Sequence, residues 1–131
     1  MKKDIKIPKV ANVYLVIAPE YNDLFKTNDW NVYIVNDKNV DIDLVLILSK
    51  GFDKNRETAQ MKHKIDLLPT KSAVKFELMV EEVLVLDNEF KVTFFCENKL
   101  FEKTYLIPAN TAKESTLRMV KTIGKRGIVI N

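Results

Sequence analysis

Hydrophobic positions recur along this chain at short range and in two forms. Near-continuous apolar runs lie at residues 13–17 (VYLVI) and 31–35 (NVYIV), with a longer one at residues 41–49. Strict alternation appears in "MKHKI", which sets Met61, His63 and Ile65 on one face and Lys62 and Lys64 on the other. Residues 73–79, 90–95 and 100–107 add three more runs, the last two facing each other across "CENK". Each run is rich in β-branched and aromatic residues and is bounded by polar turn clusters, so each predicts a strand. Pro19 is expected to end the first strand and Gly51 the third. The polar hinge "VNDKN" between the second and third reads as the turn of a hairpin, with Asp41 and Asp43 outward and Ile42 and Leu44 inward.

One segment breaks the rhythm. "TAKESTLRMVKTIG" opens on Thr111, carries Glu114 three residues later and stops at Gly124, with Leu117, Val120, Met119 and Ile123 at helical spacing. A capping-box start and a glycine stop predict a short helix or helical turn there. The closing "GIVI" is expected to return as an edge strand. Seven or eight short strands on hairpin-length connections do not suit a parallel sheet, which needs crossover helices. The expected fold is all-β, an antiparallel two-sheet sandwich in one domain over residues 1–131. Residues 10–107 would form its body and residues 108–131 a basic C-terminal segment.

Charge refines this division. Residues 111–131 hold five basic side chains against one acid, and the preceding 110 residues hold sixteen against seventeen, so the net +3 divides into +4 and −1. Such asymmetry makes Lys113, Arg118, Lys121, Lys125 and Arg126 the candidate contacts for an anion, a tRNA or another RNA. A solvated surface is the commoner use of such a segment. The single Cys96 forms no intramolecular disulfide, and with the single His63 it makes no zinc site. The N-terminus "MKKDIKIPKV" reaches no apolar core before Pro8, and "LVLIL" is too short to span a membrane, so neither a leader nor a membrane anchor is expected and the cytoplasm is the default.

Candidate chemistry is sparse. Asp37, Asn39, Asp41 and Asp43 alternate like calcium ligands, but Ile42 and Leu48 stand where such a loop needs glycine and glutamate. His63 shares a strand face with Met61 and Ile65, which favours a hydrogen-bonded structural histidine over a general base. Cys96 reads as a small packed side chain, and Glu77, Glu81 and Glu82 as exposed acids around a strand end. "GKRG" at residues 124–127 reads as a solvated turn, since no phosphate-binding loop can be written with three glycines. Phe52, in "SKGFDKNRET", is the candidate contact for a protein partner; it would otherwise fold back on the sandwich edge. Trp30, Tyr33, Phe76, Phe90 and Phe94 sit at strand positions expected to fill a core rather than a nucleic-acid stacking surface. No catalytic residue and no cofactor emerges, and edge strands such as residues 13–17 or the terminal "GIVI" offer pairing for a homodimer.

Two resemblances add to this reading. Trp30, the "VNDKN" corner and "LPTKSAVKFEL" resemble immunoglobulin-like and fibronectin-type sandwiches, without the cysteine pair of an antibody domain. "DWNVYIVN", "LVLILSKGFD", "MKHKIDLLP" and "NEFKVTFF" resemble a small family of Bacteroides-type bacteria labelled phenylalanyl-tRNA synthetase alpha-subunit proteins. That resemblance implies an accessory role near such an enzyme or its tRNA. It carries over no synthetase residue, because Arg56, Arg118 and Arg126 and three glycines write neither of the synthetase's ATP-binding motifs. A non-catalytic interaction or structural module is the expected function.

Overall fold

The computed structural model describes residues 8–131; the N-terminal stretch read as lacking a leader falls, up to residue 7, outside the described residues. Nine strands form two antiparallel sheets: β1 (Val13–Asn22), β2 (Thr27–Asn36), β3 (Ile42–Phe52), β4 (Met61–Leu68), β5 (Ser72–Met79), β6 (Asp87–Cys96), β7 (Lys99–Ile107), β8 (Arg118–Val120) and β9 (Lys125–Ile130). A one-turn helix, α1 (Glu81–Leu84), links β5 to β6. The five-stranded sheet runs β5-β2-β1-β9-β8 and the four-stranded sheet β4-β3-β6-β7. The fold is an all-β sandwich, with one strand more than expected.

Between the sheets, Leu15, Ile17, Val32 and Ile34 meet Ile47, Phe90, Val92, Phe94 and Tyr105 in the main core. The continuous runs of β1 and β2 have a second explanation. Their alternate residues Val16, Ala18, Tyr33 and Val35 face away from the main core, yet they are buried too, beneath Val120 and Ile123. The stretch from β8 through the turn at Lys121–Ile123 therefore folds over the outer face of this sheet, and strands covered on both sides read as unbroken apolar runs.

Several expectations change. The hinge at residues 37–41 is not a hairpin turn, because β2 and β3 belong to different sheets. It is a corner, held by buried Asn36, whose Nδ2 donates to the carbonyls of Val40 (3.0 Å), Leu68 (3.1 Å) and Pro69 (3.2 Å). Leu44 points outward, half exposed, because it takes a left-handed φ of 49° at a bulge where β3 shifts register against β6. That extra residue returns Val45 and Ile47 to the core. Pro19 lies inside β1 rather than ending it; β9 stops pairing at Ile17, so no neighbour on that side needs the missing N–H.

The predicted C-terminal helix is replaced by two single 3-10 turns, Glu114–Thr116 and Lys121–Ile123, on either side of β8. Thr111 does not cap; its hydroxyl donates to the carbonyl of Pro108. The glycine stop holds, with Gly124 left-handed at φ 68°. Anchoring Val120 on the outer face of β1 and β2 favours the extended backbone there over a continuous helix. The terminal strand is also not an edge: β9 lies between β1 and β8, and β1 between β2 and β9. Both strands expected to pair between chains already have ladders on either side. The edges are β5 and β8 in one sheet and β4 and β7 in the other.

Candidate functional site

Polar side chains gather at the seam between the edge strands β4 and β5. A bulge makes this possible: Val32 pairs with Glu77 and Tyr33 with Lys75, so Phe76 is the extra residue and Glu77 turns toward the facing sheet. Its Oε1 accepts from the Ser49 hydroxyl at 2.6 Å and lies 2.8 Å from Nε2 of His63. The His63 ring meets Phe76 edge-on at 5.2 Å. Glu77 is thus not the exposed acid expected from its sequence, since only 10% of its side chain reaches solvent. Nor does it join Glu81 and Glu82, which lie on α1.

The order of this cluster decides what it can do. Ser49 and His63 share one carboxylate oxygen, so the serine proton faces Glu77 and not the imidazole that nucleophilic catalysis would require. What the arrangement supplies is an inward-pointing charge on a bulged edge strand, a common protection against edge-to-edge association. His63 is the partly buried, hydrogen-bonded residue expected.

The basic residues of the C-terminal segment do not converge. Lys125 is held against the outer face of the five-stranded sheet, its Nζ 3.0 Å from Glu20 and 5.7 Å above the Tyr33 ring. Arg126 points to the other face of β9 and donates to the Leu117 carbonyl at 3.1 Å. Arg118 and Lys121 flank a shallow depression that also includes Asp37, and Lys113 directly precedes the first 3-10 turn. Gly127, in "GKRG", serves packing: a Cβ there would come within 2.6 Å of a Val16 methyl. Phe52 ends β3 half-buried, opposite Asp87 on β6 and bridged to Glu57, as in the folded-back alternative. Cys96 is buried in the core.

Among the described residues Glu20 is the acid held furthest from its ordinary value. Partial burial would raise its carboxyl, but the Tyr33 hydroxyl and the ammonium groups of Lys125 and Lys75 outweigh this and hold it at about 2. Burial and the same carboxylate push the Tyr33 phenol up, while Glu20 raises Lys125.

Sequence reasoning missed a second feature. Beyond Pro19 and Trp30 neither β9 nor β5 pairs with the first two strands, so residues 20–29 project as a two-stranded ribbon. At its tip Leu24 is 81% and Phe25 70% exposed, beside exposed Tyr21. The tip is ordered by Asn22, whose Oδ1 accepts from the amides of Leu24 (3.0 Å) and Phe25 (3.1 Å) and whose Nδ2 donates to Asp29 (3.1 Å). A groove of about 800 Å³ runs from the ribbon's base, between Trp30, Met79 and Leu84, and carries Asp29, Glu81, Glu82 and Glu114 on its walls. Two large apolar residues inside the polar turn "NDLFKTN" were the available signal. No helix among the described residues is long and apolar enough to cross a membrane. No protein-family model, curated protein or solved structure matches the chain.

Proposed function

We propose that this chain is a non-catalytic, cytoplasmic interaction module that docks a protein partner through the tip of the β1–β2 ribbon. The observation that carries this reading is the pair Leu24 and Phe25, exposed on a turn that Asn22 already holds in shape. Large apolar residues on a preorganised protrusion lose little conformational freedom on binding, which is the usual makeup of an interface anchor. The acids beside the ribbon's base assign the partner's chemistry: an apolar pocket rimmed by lysine or arginine. The order β5-β2-β1 against β4-β3-β6-β7 supports an immunoglobulin-type core, in which the second strand pairs with the fifth and the third with the sixth.

The test compares wild-type protein with a Leu24→Ser/Phe25→Ser variant as immobilised bait in native lysate. Both residues are exposed, so the unfolding free energy is expected to stay within about 0.5 kcal/mol of wild type. A partner retained by wild type and lost by the variant, more weakly held at high salt, supports the reading. Identical capture by both, or by neither, overturns it.

A further inference from the structure

The outer face of the four-stranded sheet, opposite the covered one, points to a second copy of this chain. We propose that two molecules pack these faces together about a two-fold axis parallel to the strands. The register orders the face into rows. One row reads Leu67, Asp43, Phe95, Leu100 across β4, β3, β6 and β7, with outward Leu44 beside Asp43. The next reads Lys64, Leu46, Thr93, Glu102, and the third Lys62, Leu48, Lys91, Thr104. Leu44, Leu67 and Leu100 are about half exposed and Phe95 about a third. Among the described residues no segment of the chain covers this row as Val120 and Ile123 cover the other sheet.

Charge selects the occupant. Lysine lies on the β4 side of the face, as Lys62 and Lys64, the latter 3.7 Å from Asp66, and acid on the β7 side, as Glu102, 3.5 Å from Lys91; both pairs are exposed and free to exchange partners. A two-fold axis along the strands exchanges the two sides while keeping each row in place. It sets Lys64 of one copy against Glu102 of the other, twice per dimer, and Leu67 against Leu100. The pattern is self-complementary at the rim, as an isologous interface requires, while near the axis Asp43 lies opposite Phe95 and Lys91 opposite Leu48. Face-to-face packing of twisted sheets at a small angle accommodates it. This surface lies on the other sheet from the ribbon tip.

Sedimentation equilibrium of the full chain across a wide concentration range tests the proposal. Wild type is expected to form dimers. Leu67→Asp is expected to weaken them at least about tenfold by setting a second carboxylate, next to Asp43, where Leu67 meets Leu100 of the other copy. Lys64→Glu alone and Glu102→Lys alone each set two like-charge pairs in opposition and are expected to weaken association about tenfold at low salt. An equimolar mixture of the two variants restores it, because every pair in the mixed dimer is then opposite in sign. All three sites are exposed, and circular dichroism confirms the fold of each variant. A wild type monomeric throughout overturns the proposal, as does a dimer indifferent to these substitutions. The ribbon variant serves as control, since its dimer constant is expected to match wild type.

Discussion

The two sheets share one core but treat their outer faces in opposite ways. In the five-stranded sheet Val16, Ala18, Tyr33 and Val35 face outward and are nonetheless buried, under Val120 and Ile123 from the C-terminal segment. In the four-stranded sheet the corresponding positions are Leu44, Leu46, Leu48 and Phe95, interleaved with Asp43, Lys62, Lys64, Lys91 and Glu102; among the described residues Pro8, Lys9 and Val10 come beside Glu102, and no segment lies over the leucines and Phe95. For β1 and β2 the difference was written into the strands, whereas β3, with the apolar run LVLIL, lies in the open sheet all the same. Strands apolar at nearly every position need a cover on each side, and the segment after β7 supplies the second one. Strands that alternate tolerate water on one face, but a row containing Leu67, Phe95 and Leu100 leaves more apolar surface than alternation requires.

Equivalent substitutions on the two faces are expected to separate them most widely. Val16→Asp buries a carboxylate with no partner beneath the cover and is expected to cost about 3–5 kcal/mol in urea unfolding. Leu44→Asp, read at low protein concentration, is expected to change stability by no more than about 0.5 kcal/mol. Aspartate also suits the left-handed backbone at that position better than leucine does. Equal costs at the two positions would erase the distinction between a closed and an open face. The next effect sharpens how closely the covered side is packed. Gly127→Ala places a methyl 2.6 Å from Val16 Cγ1 and 3.0 Å from the Ile17 carbonyl, with an expected cost of about 1–3 kcal/mol. Combining it with Val16→Ala is expected to recover part of that loss, and strict additivity in the double-mutant cycle would show that the two groups do not collide.

The fold class was legible because strand periodicity is local: alternation in "MKHKI" and the β6–β7 hairpin across "CENK" follow from side-chain order alone. What the sequence concealed depends on pairing. Whether residues 35–41 make a hairpin or a corner turns on which sheet β3 joins, and the same Asn–Asp–Lys–Asn composition serves both. The bulges that expose Leu44 and draw Glu77 inward each shift parity by one residue, which no period-two count reveals. Helical spacing at Leu117, Val120 and Ile123 is also met by two 3-10 turns and a strand laid across an apolar face. His63 and Cys96 were placed correctly because burial among apolar neighbours is a property of the strand face. The ribbon tip escaped because its exposure depends on β5 and β9 ending before it, a fact of sheet width.

The smallest effect concerns what holds the cover down. On the five-stranded side Glu20 ties Lys125 of β9 and Lys75 of β5 to the Tyr33 hydroxyl. Its carboxyl titrates at about 2 when folded, against about 4.3 in an unfolded chain. A depressed acid stabilises the fold above its unfolded value and loses that contribution as pH falls toward the folded one. With a quarter of the side chain open to water, the contribution is held by solvent screening to about 1 kcal/mol. The gap in unfolding free energy between wild type and Glu20→Gln is therefore expected to be full near neutrality, to shrink below about pH 4.3 and to close near pH 2. On the open face Glu102 lies 3.5 Å from Lys91, both well exposed, so Glu102→Gln in the monomer is expected to change stability at neutral pH by no more than about 0.5 kcal/mol. A Glu20→Gln gap that stayed constant across this range would mean that the ion cluster plays no part in fastening the C-terminal segment. The covered face would then rest on Val120 and Ile123 alone.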